Sequence, residues 1–220
     1  YKPDQIVVST GAKQSIANVV MSLINPGDEI IVPAPYWVTY VEIIKMAGGT
    51  PVVVHAGIDS DFKITSEQFA NAINEKTRMM IFSSPCNPTG SVYTKEELQG
   101  LAKVLEVNPN VVVLSDEIYE HINFTGQHVS LAQFPAVKEQ VVTINGVSKA
   151  FAMTGWRLGY IGAPSWIAKA CTKMQGQFTS GTCGITQRAA KAAVEADPSV
   201  TYEMREAFLK RRDLVLGRLN

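Results

Sequence analysis

The sequence has no excess of charge of either sign. Its 220 residues include 20 lysines and arginines against 20 aspartates and glutamates, so the formal net charge is zero. Proteins whose main partner is a nucleic acid or an anionic membrane usually present an excess of basic residues. No apolar run approaches the roughly 18 residues that a membrane-spanning helix needs. We therefore expect neither a nucleic acid nor a membrane as the partner.

Cysteine is scarce, and histidine is equally so. The three cysteines are odd in number and lack C-x-x-C spacing, which is typical of reduced thiols rather than of a disulfide framework or a zinc site. We therefore expect a cytoplasmic protein. The three histidines have no carboxylate or cysteine at ligand spacing, so we interpret them as ordinary and predict no metal site. These residues are Cys86, Cys171, Cys183, His55, His121 and His128.

Strand-like and helix-like segments alternate along most of the chain. Short apolar runs are separated by segments whose apolar residues recur at helical spacing. This alternation predicts an α/β fold: a three-layer, mostly parallel, seven-stranded sheet with helices on both faces. The predicted strands span residues 5–9, 29–33, 50–55, 78–83, 111–115, 141–144 and 157–161.

Residues suited to chemistry follow four of these strands. Trp37, Asn87, Asp116 and Lys149 come just after the second, fourth, fifth and sixth strands. In open α/β sheets, ligands bind outside the carboxyl ends of the strands. We therefore expect the four residues to lie along one edge of the sheet, and their convergence makes a functional interpretation stronger than four separate packing interpretations.

Asp116 is the carboxylate that most suggests function. It continues a fully apolar strand of the buried parallel type, where a carboxylate is costly to bury without a cationic or hydrogen-bonding partner. We interpret the nearby Glu117 and Glu120 as structural or solvated residues.

Two further segments point to a carbonyl cofactor with a phosphate group. Lys149 precedes Arg157 by eight residues, and a lysine amine can form a Schiff base while an arginine fork binds a phosphate. Near the start of the chain, the segment 10–13 leads from a strand into a helix through Gly11. Free backbone amides at such a helix start can bind an anion.

Five motifs resemble those of the class I and II aminotransferases that use pyridoxal 5′-phosphate, and specifically the bacterial aspartate aminotransferase subgroup. They stand in family order, with family spacing, over essentially the whole chain. The motifs are Ser9-Thr-Gly-Ala-Lys13, Pro35-Tyr-Trp37, Asn87-Pro-Thr-Gly90, Ser115-Asp-Glu-Ile-Tyr119 and Ser148-Lys-Ala-Phe-Ala-Met-Thr-Gly-Trp-Arg157.

The resemblance implies a fold-type-I large domain and a role for each site residue. Lys149 would carry the cofactor and move the substrate Cα proton, and Asp116 would pair with the pyridinium nitrogen. Tyr119 and Asn87 would hydrogen-bond the 3-oxygen of the ring, and Trp37 would stack on it. Trp37 and Asn87 would also contact the substrate. The phosphate would be held by Gly11, Ala12, Lys13, Ser148 and Arg157.

The chain departs from its relatives at two positions near this site. Many relatives carry a hydroxyl three residues before the lysine, where this chain has Gly146, so we expect one phosphate contact to be missing. Cys86 replaces an asparagine that is common before Asn87, and we expect little effect from it.

The ends of the chain suggest part of a longer protein. We expect residues 1–200 to form the cofactor-binding large domain, and residues 201–220 to begin a helix leading to a small C-terminal domain. The family's N-terminal arm, its partner-subunit tyrosine and its small-domain arginine have no counterpart here. The isolated chain is therefore expected to be inactive, and the complete protein is expected to be a homodimer.

The resulting prediction is transamination in amino-acid metabolism. An amino acid, with aspartate as the expected donor, and a 2-oxo acid, expected to be 2-oxoglutarate, would be the substrates. Two alternatives stay open: a pyridoxal-phosphate-dependent carbon–sulfur lyase, and a non-catalytic domain that senses the cofactor in a transcription regulator. A nicotinamide dehydrogenase is disfavoured, because no G-x-G-x-x-G follows the first strand.

Overall fold

The computed structural model describes residues 1–219; Asn220, the last residue of the predicted C-terminal segment, lies outside the described residues. One seven-stranded sheet and seven α-helices are present in that range. In chain order they are β1 (Ile6–Ser9), α1 (Ala12–Leu23), β2 (Glu29–Ala34), α2 (Thr39–Met46), β3 (Thr50–His55), α3 (Ser66–Ala72), β4 (Thr77–Ser83), α4 (Lys95–Glu106), β5 (Val112–Asp116), β6 (Val141–Gly146), β7 (Gly159–Gly162), α5 (Ser165–Phe178), α6 (Gly184–Glu195) and α7 (Tyr202–Leu219).

The sheet confirms the predicted fold class. Its strand order is β1-β7-β6-β5-β4-β2-β3, and only the two pairings of β7 are antiparallel. Parallel neighbours require a long crossover, usually a helix, whereas residues 147–158 join β6 to β7 without an α-helix. That short return reverses the direction of β7 and places Lys149 in the connection.

The prediction for the seventh strand is corrected at its start. The strand begins at Gly159 rather than at Arg157. Arg157 has a left-handed backbone with φ of 53°, and it follows a 3-10 turn over Thr154–Trp156. This conformation turns the chain out of the extended geometry, so Arg157 lies in the loop beside the strand ends instead of in the sheet.

Two hydrophobic layers enclose the sheet, because side chains alternate between its faces along each strand. On β4, Met79 and Ile81 belong to the layer beneath α1, α2 and α5, while Met80 and Phe82 belong to the layer beneath α3 and α4. The sheet is therefore buried on both faces, which leaves its carboxyl edge as the place where polar side chains converge.

Helix α4 begins at a capping box formed by Thr94 and Glu97. Glu97 N donates to Thr94 Oγ1 at 3.2 Å, and Thr94 N donates to Glu97 Oε2 at 2.7 Å. This reciprocal pair satisfies two donors at the start of α4. Within residues 1–219, none of the helices combines the length and apolar character that crossing a membrane would require.

Candidate functional site

A cavity of about 320 Å³ opens at the carboxyl ends of the central strands. Its volume is within the range usual for small-molecule sites. Every residue predicted for the site lines this cavity except Gly11. Gly11 lies next to the guanidinium of Arg157, which does line the cavity. The lining residues are Ala12, Lys13, Trp37, Tyr40, Ser83, Asn87, Asp116, Ile118, Tyr119, Ser148, Lys149, Thr154 and Arg157.

Asp116 ends β5 and is only 4% exposed. Tyr40 Oη donates to its Oδ2 at 2.7 Å, and the backbone N–H of Ile118 donates to its Oδ1 at 3.2 Å. Burial raises the pKa of Asp116 to about 6, although these two hydrogen bonds oppose the shift. A cation that enters the cavity beside this carboxylate would favour its ionised form.

Tyr40 was missed at the level of the sequence. It lies on α2, is 1% exposed, and contacts a carboxylate 76 residues further along the chain. Burial raises the pKa of Tyr40 well above its usual value, so the phenol remains a hydrogen-bond donor. One signal was available: Tyr40 follows Trp37 by three residues at the start of α2, where its N–H donates to the carbonyl of Trp37 at 3.0 Å.

Lys149 lies in the connection that follows β6. Its Nζ lies 5.5 Å from the centroid of the Tyr119 ring, and its positive charge lowers the pKa of Asp116. Tyr119 is carried by a turn in which Glu120 N donates to the carbonyl of Glu117 at 2.9 Å. The structure therefore brings the amine, the phenol and the buried carboxylate to one cavity.

The side of the cavity near α1 forms a cradle whose chemistry suits an anion. Gly11 has φ of 91°, and a Cβ at this position would collide with the guanidinium of Arg157. Ala12 and Lys13 begin α1, where backbone amides have no acceptor within the helix. Arg157 Nη1 donates to the carbonyl of Thr154 at 2.8 Å, which holds the guanidinium in place. A guanidinium facing free helix amides fits a phosphate group.

The position of Gly146 has a packing explanation. A Cβ on this residue would lie 2.8 Å from the carbonyl oxygen of Leu158 and 2.9 Å from the Cα of Gly159. The backbone that leads into β7 therefore leaves no space for a side chain here. Ser148 lines the cavity, and its carbonyl accepts a 2.9 Å hydrogen bond from Thr154 Oγ1.

Trp37 both packs and lines the cavity. It is partly buried against the layer that includes Tyr40, and the two rings meet edge to face with centroids 5.6 Å apart. Lys13 Nζ lies 4.9 Å from the centroid of Trp37. Asn87 lies in the loop after β4, where its backbone N–H donates to Ser83 Oγ at 3.4 Å. Cys86 Sγ lies 3.6 Å from the carbonyl oxygen of Pro35.

The interpretation of His128 as an ordinary histidine with no carboxylate at ligand spacing is corrected by the structure. Its Nε2 lies 2.8 Å from Glu117 Oε2, and one ligand atom each of Glu117, Glu120 and His128 lie within 4.8 Å of one another. The pair Glu117 and His128 is eleven residues apart. Residues 117–128 form turns and irregular loop rather than a helix or strand, so no local periodicity predicts the contact.

Comparisons with known proteins agree with this geometry. The sequence model for aminotransferases of class I and II matches residues 1–220. The chain is 46% identical over 224 residues to an aspartate aminotransferase of Pinus pinaster, covering 100% of the chain and 46% of that relative. It is also 46% identical over 222 residues to an aspartate/prephenate aminotransferase of Cereibacter sphaeroides, covering 100% of the chain and 56% of that relative. The chain thus spans about half the length of the curated relatives it matches.

Solved structures show the same fold. The aspartate aminotransferase from Rhizobium meliloti superposes with a TM-score of 0.97 at 42% identity, covering 99% of this chain and 55% of that one. The Thermus thermophilus aspartate aminotransferase with maleate gives a TM-score of 0.93 at 39% identity, covering 99% of this chain and 57% of that one.

Proposed function

The chain belongs to the class I and II aminotransferases, and from that premise we propose that it forms the cofactor-binding part of an enzyme that transfers amino groups from aspartate to 2-oxoglutarate. The family's cofactor is pyridoxal 5′-phosphate. One observation carries the proposal: a single cavity joins an amine, a buried carboxylate and an anion cradle. These three features match the carbonyl, the ring nitrogen and the phosphate of this cofactor.

The residues present fit that cofactor. Lys149 would bind its carbonyl, and Asp116 would pair with its ring nitrogen. The cradle of Gly11, Ala12, Lys13 and Arg157, with Ser148 beside it, would hold the phosphate. Trp37 would lie on the ring, and Tyr119 and Asn87 would donate to its 3-oxygen. Bound there, pyridoxal phosphate supplies a carbonyl that joins to amino groups and a ring that withdraws electrons from the bond being broken.

The protein residues then bind, orient and move protons. The buried carboxylate of Asp116, oriented by Tyr40, would keep a proton on the ring nitrogen. The Lys149 amine would take the proton from the Cα of the amino-acid substrate and would place a proton on the Cα of the 2-oxo acid substrate in the second half of the reaction. Tyr119 lies against Lys149 and would hold the amine near that proton.

We propose the same domain division that the sequence suggests. Residues 1–200 would be the large domain, and residues 201–220 would lead into a small domain that supplies the arginine for the substrate carboxylate. The complete protein would be a homodimer, as the resemblance implies, and cysteine usage favours the cytoplasm. The names of the curated relatives favour transamination over the lyase and the sensing alternatives, and they favour aspartate as the amino donor.

The test is a donor panel with the protein from the complete reading frame. We expect oxaloacetate to form from aspartate and 2-oxoglutarate in a coupled assay. We also expect the 220-residue chain alone to have little or no activity, because misplacing a reacting group by about 1 Å can reduce a rate a hundredfold. Comparable kcat/KM values for the two proteins would contradict the domain division. Elimination from sulfur amino acids would indicate a lyase, and cofactor binding without turnover would indicate a sensor.

A further inference from the structure

Glu117 is a second buried carboxylate next to Asp116. It is 3% exposed, and it does not line the cavity. Successive residues of an extended chain point to opposite sides, so Glu117 faces away from the cavity on the same side as Ser115. A buried carboxylate without a role in binding the cofactor requires its own explanation.

Three groups surround the carboxylate of Glu117. Its Oε1 accepts hydrogen bonds from Ser115 Oγ at 2.9 Å and from Ser130 Oγ at 2.6 Å. Its Oε2 lies 2.8 Å from His128 Nε2. Hydrogen bonds of this number are what a buried charge requires, and together they leave the side chain little freedom.

The same cluster is poorly suited to a metal ion, although its ligand atoms lie close enough together for one. Both oxygens of Glu117 are already engaged. Glu120 Oε1 accepts from Asn145 Nδ2 at 2.8 Å and lies 3.2 Å from His121 Nε2. A cation would have to displace these donors from their hydrogen bonds, so we interpret the cluster as a structural support.

Glu117 connects this support to two residues of the cavity. Its N–H donates to the carbonyl of Ile144 at 2.9 Å, which extends the pairing of β5 with β6 by one residue. Its carbonyl accepts from Glu120 N at 2.9 Å, which closes the turn that carries Tyr119. Asp116 precedes this point and Tyr119 follows it, so any displacement of Glu117 would move both side chains.

We propose that Glu117 is a positioning residue for the transamination reaction: its contacts with Ser115, Ser130 and His128 fix the places of Asp116 and Tyr119 in the cavity. The inference rests on the proposed function, because it concerns how accurately these two residues meet the cofactor. The carboxylate of Glu117 has a second effect, because it also raises the pKa of Asp116.

The experiment uses the complete enzyme loaded with pyridoxal phosphate and the variant Glu117→Gln, which keeps the shape of the side chain and removes its charge. We expect kcat to fall by about tenfold or more, while KM for aspartate changes by less than about threefold. We also expect the visible circular dichroism of the bound cofactor to change, because that signal reports how the ring is oriented. A side chain that only supported folding would leave both the kcat-to-KM split and this signal unchanged.

The matched control is Glu120→Gln, which removes a carboxylate from the same cluster three residues away. We expect its kcat to stay within about twofold of the unmodified enzyme, because the side chain of Glu120 contacts Asn145 and His121 and none of the three groups that hold the carboxylate of Glu117. An equal loss in both variants would show an effect of the cluster's total charge and would overturn the positioning role. Native kcat and native dichroism in Glu117→Gln would overturn it as well.

If Glu117→Gln does not fold, Ser130→Ala decides the question, because it removes only one of the three contacts. We expect a smaller loss of kcat, of about threefold, with the same change in dichroism; native values would overturn the proposal. If the unmodified enzyme binds no pyridoxal phosphate, the proposed function itself fails. That result differs from the outcome in which the enzyme binds the cofactor and Glu117→Gln keeps native kcat and native dichroism.

Discussion

Asp116 and Glu117 are neighbours in the sequence and almost equally buried, yet their surroundings differ. Asp116 receives two hydrogen bonds and borders an open cavity, and its pKa is raised to about 6. Glu117 is enclosed by two serine hydroxyls and a histidine. The comparison teaches that burial alone does not indicate function. A carboxylate with few donors and access to a cavity can still gain from a cationic ligand, whereas a fully enclosed one supports the structure.

The largest expected effect concerns the reaction. In Asp116→Asn, the ring nitrogen would lose its anionic partner, so Cα deprotonation should slow by at least about a hundredfold, a loss of several kcal/mol in transition-state stabilisation. The measurement is exchange of the substrate Cα proton with solvent deuterium by the complete enzyme, with Glu120→Gln as the matched control. An exchange rate close to that of the unmodified enzyme would contradict the role of Asp116.

The next effect concerns stability without the cofactor. The pKa of Asp116 is raised from 3.8 to about 6, so the folded state holds this proton more tightly than the unfolded state does. The free energy of unfolding should therefore fall as the pH rises from 4 to 6. Relative to Asp116→Asn, the unmodified protein should lose about 2 kcal/mol over this window. Urea unfolding at several pH values measures the difference, and parallel curves for the two proteins would refute the assignment.

A smaller effect is expected at the donor to Asp116. Tyr40→Phe removes the 2.7 Å hydrogen bond, so the pKa of Asp116 should rise further. The affinity for pyridoxal phosphate should then begin to fall at a higher pH during acidification, by about one pH unit. Fluorescence titrations between pH 5 and 8 would measure this shift. Tyr93→Phe is the control, since Tyr93 is a buried tyrosine in the opposite hydrophobic layer; an equal shift in both variants would contradict the account.

The smallest expected effect is on the enclosed side. The hydrogen bond with Glu117 raises the pKa of His128 against the opposing effect of burial. Its stabilisation should be fully present below the unfolded pKa of about 6.5 and should be lost as the pH rises through the folded value. His128→Gln should therefore destabilise the protein by about 1 kcal/mol more at pH 6 than at pH 9. His55→Gln, at an exposed position, is the control and should show no such difference between the two pH values. Equal destabilisation by His128→Gln at pH 6 and pH 9 would refute the contact between His128 and Glu117.

The residues on the cavity side of this comparison, which include Asp116, were largely predictable from the sequence. Apolar runs gave the positions of the strands, and parallel strands bring their carboxyl ends to one edge, so Asp116 and Lys149 were expected to meet. The start of β7 was less predictable, because the left-handed conformation of Arg157 depends on the turn before it. The lack of space for a side chain at Gly146 was also not predictable, because it depends on the backbone that packs beside this residue.

The enclosed side could not be predicted, because its contacts follow no local period. Glu117 meets His128 and Ser130 through an irregular loop, eleven and thirteen residues further along. Tyr40 reaches Asp116 from another helix across 76 residues. Each of these side chains resembles an ordinary polar or aromatic residue in the sequence. Only the tertiary structure distinguishes a partner of Asp116 from a residue that is merely buried.

The central claim is that the open cavity binds pyridoxal phosphate through Lys149, and reductive trapping tests it most directly. The protein would be incubated with the cofactor, reduced with borohydride and digested, and the modified lysine would be located by mass spectrometry. We expect the label on Lys149, and no stable label in Lys149→Ala under the same conditions. The neighbouring Lys13, which also lines the cavity, provides an internal control. A label that is carried mainly by another lysine, or that persists in Lys149→Ala, would contradict the account.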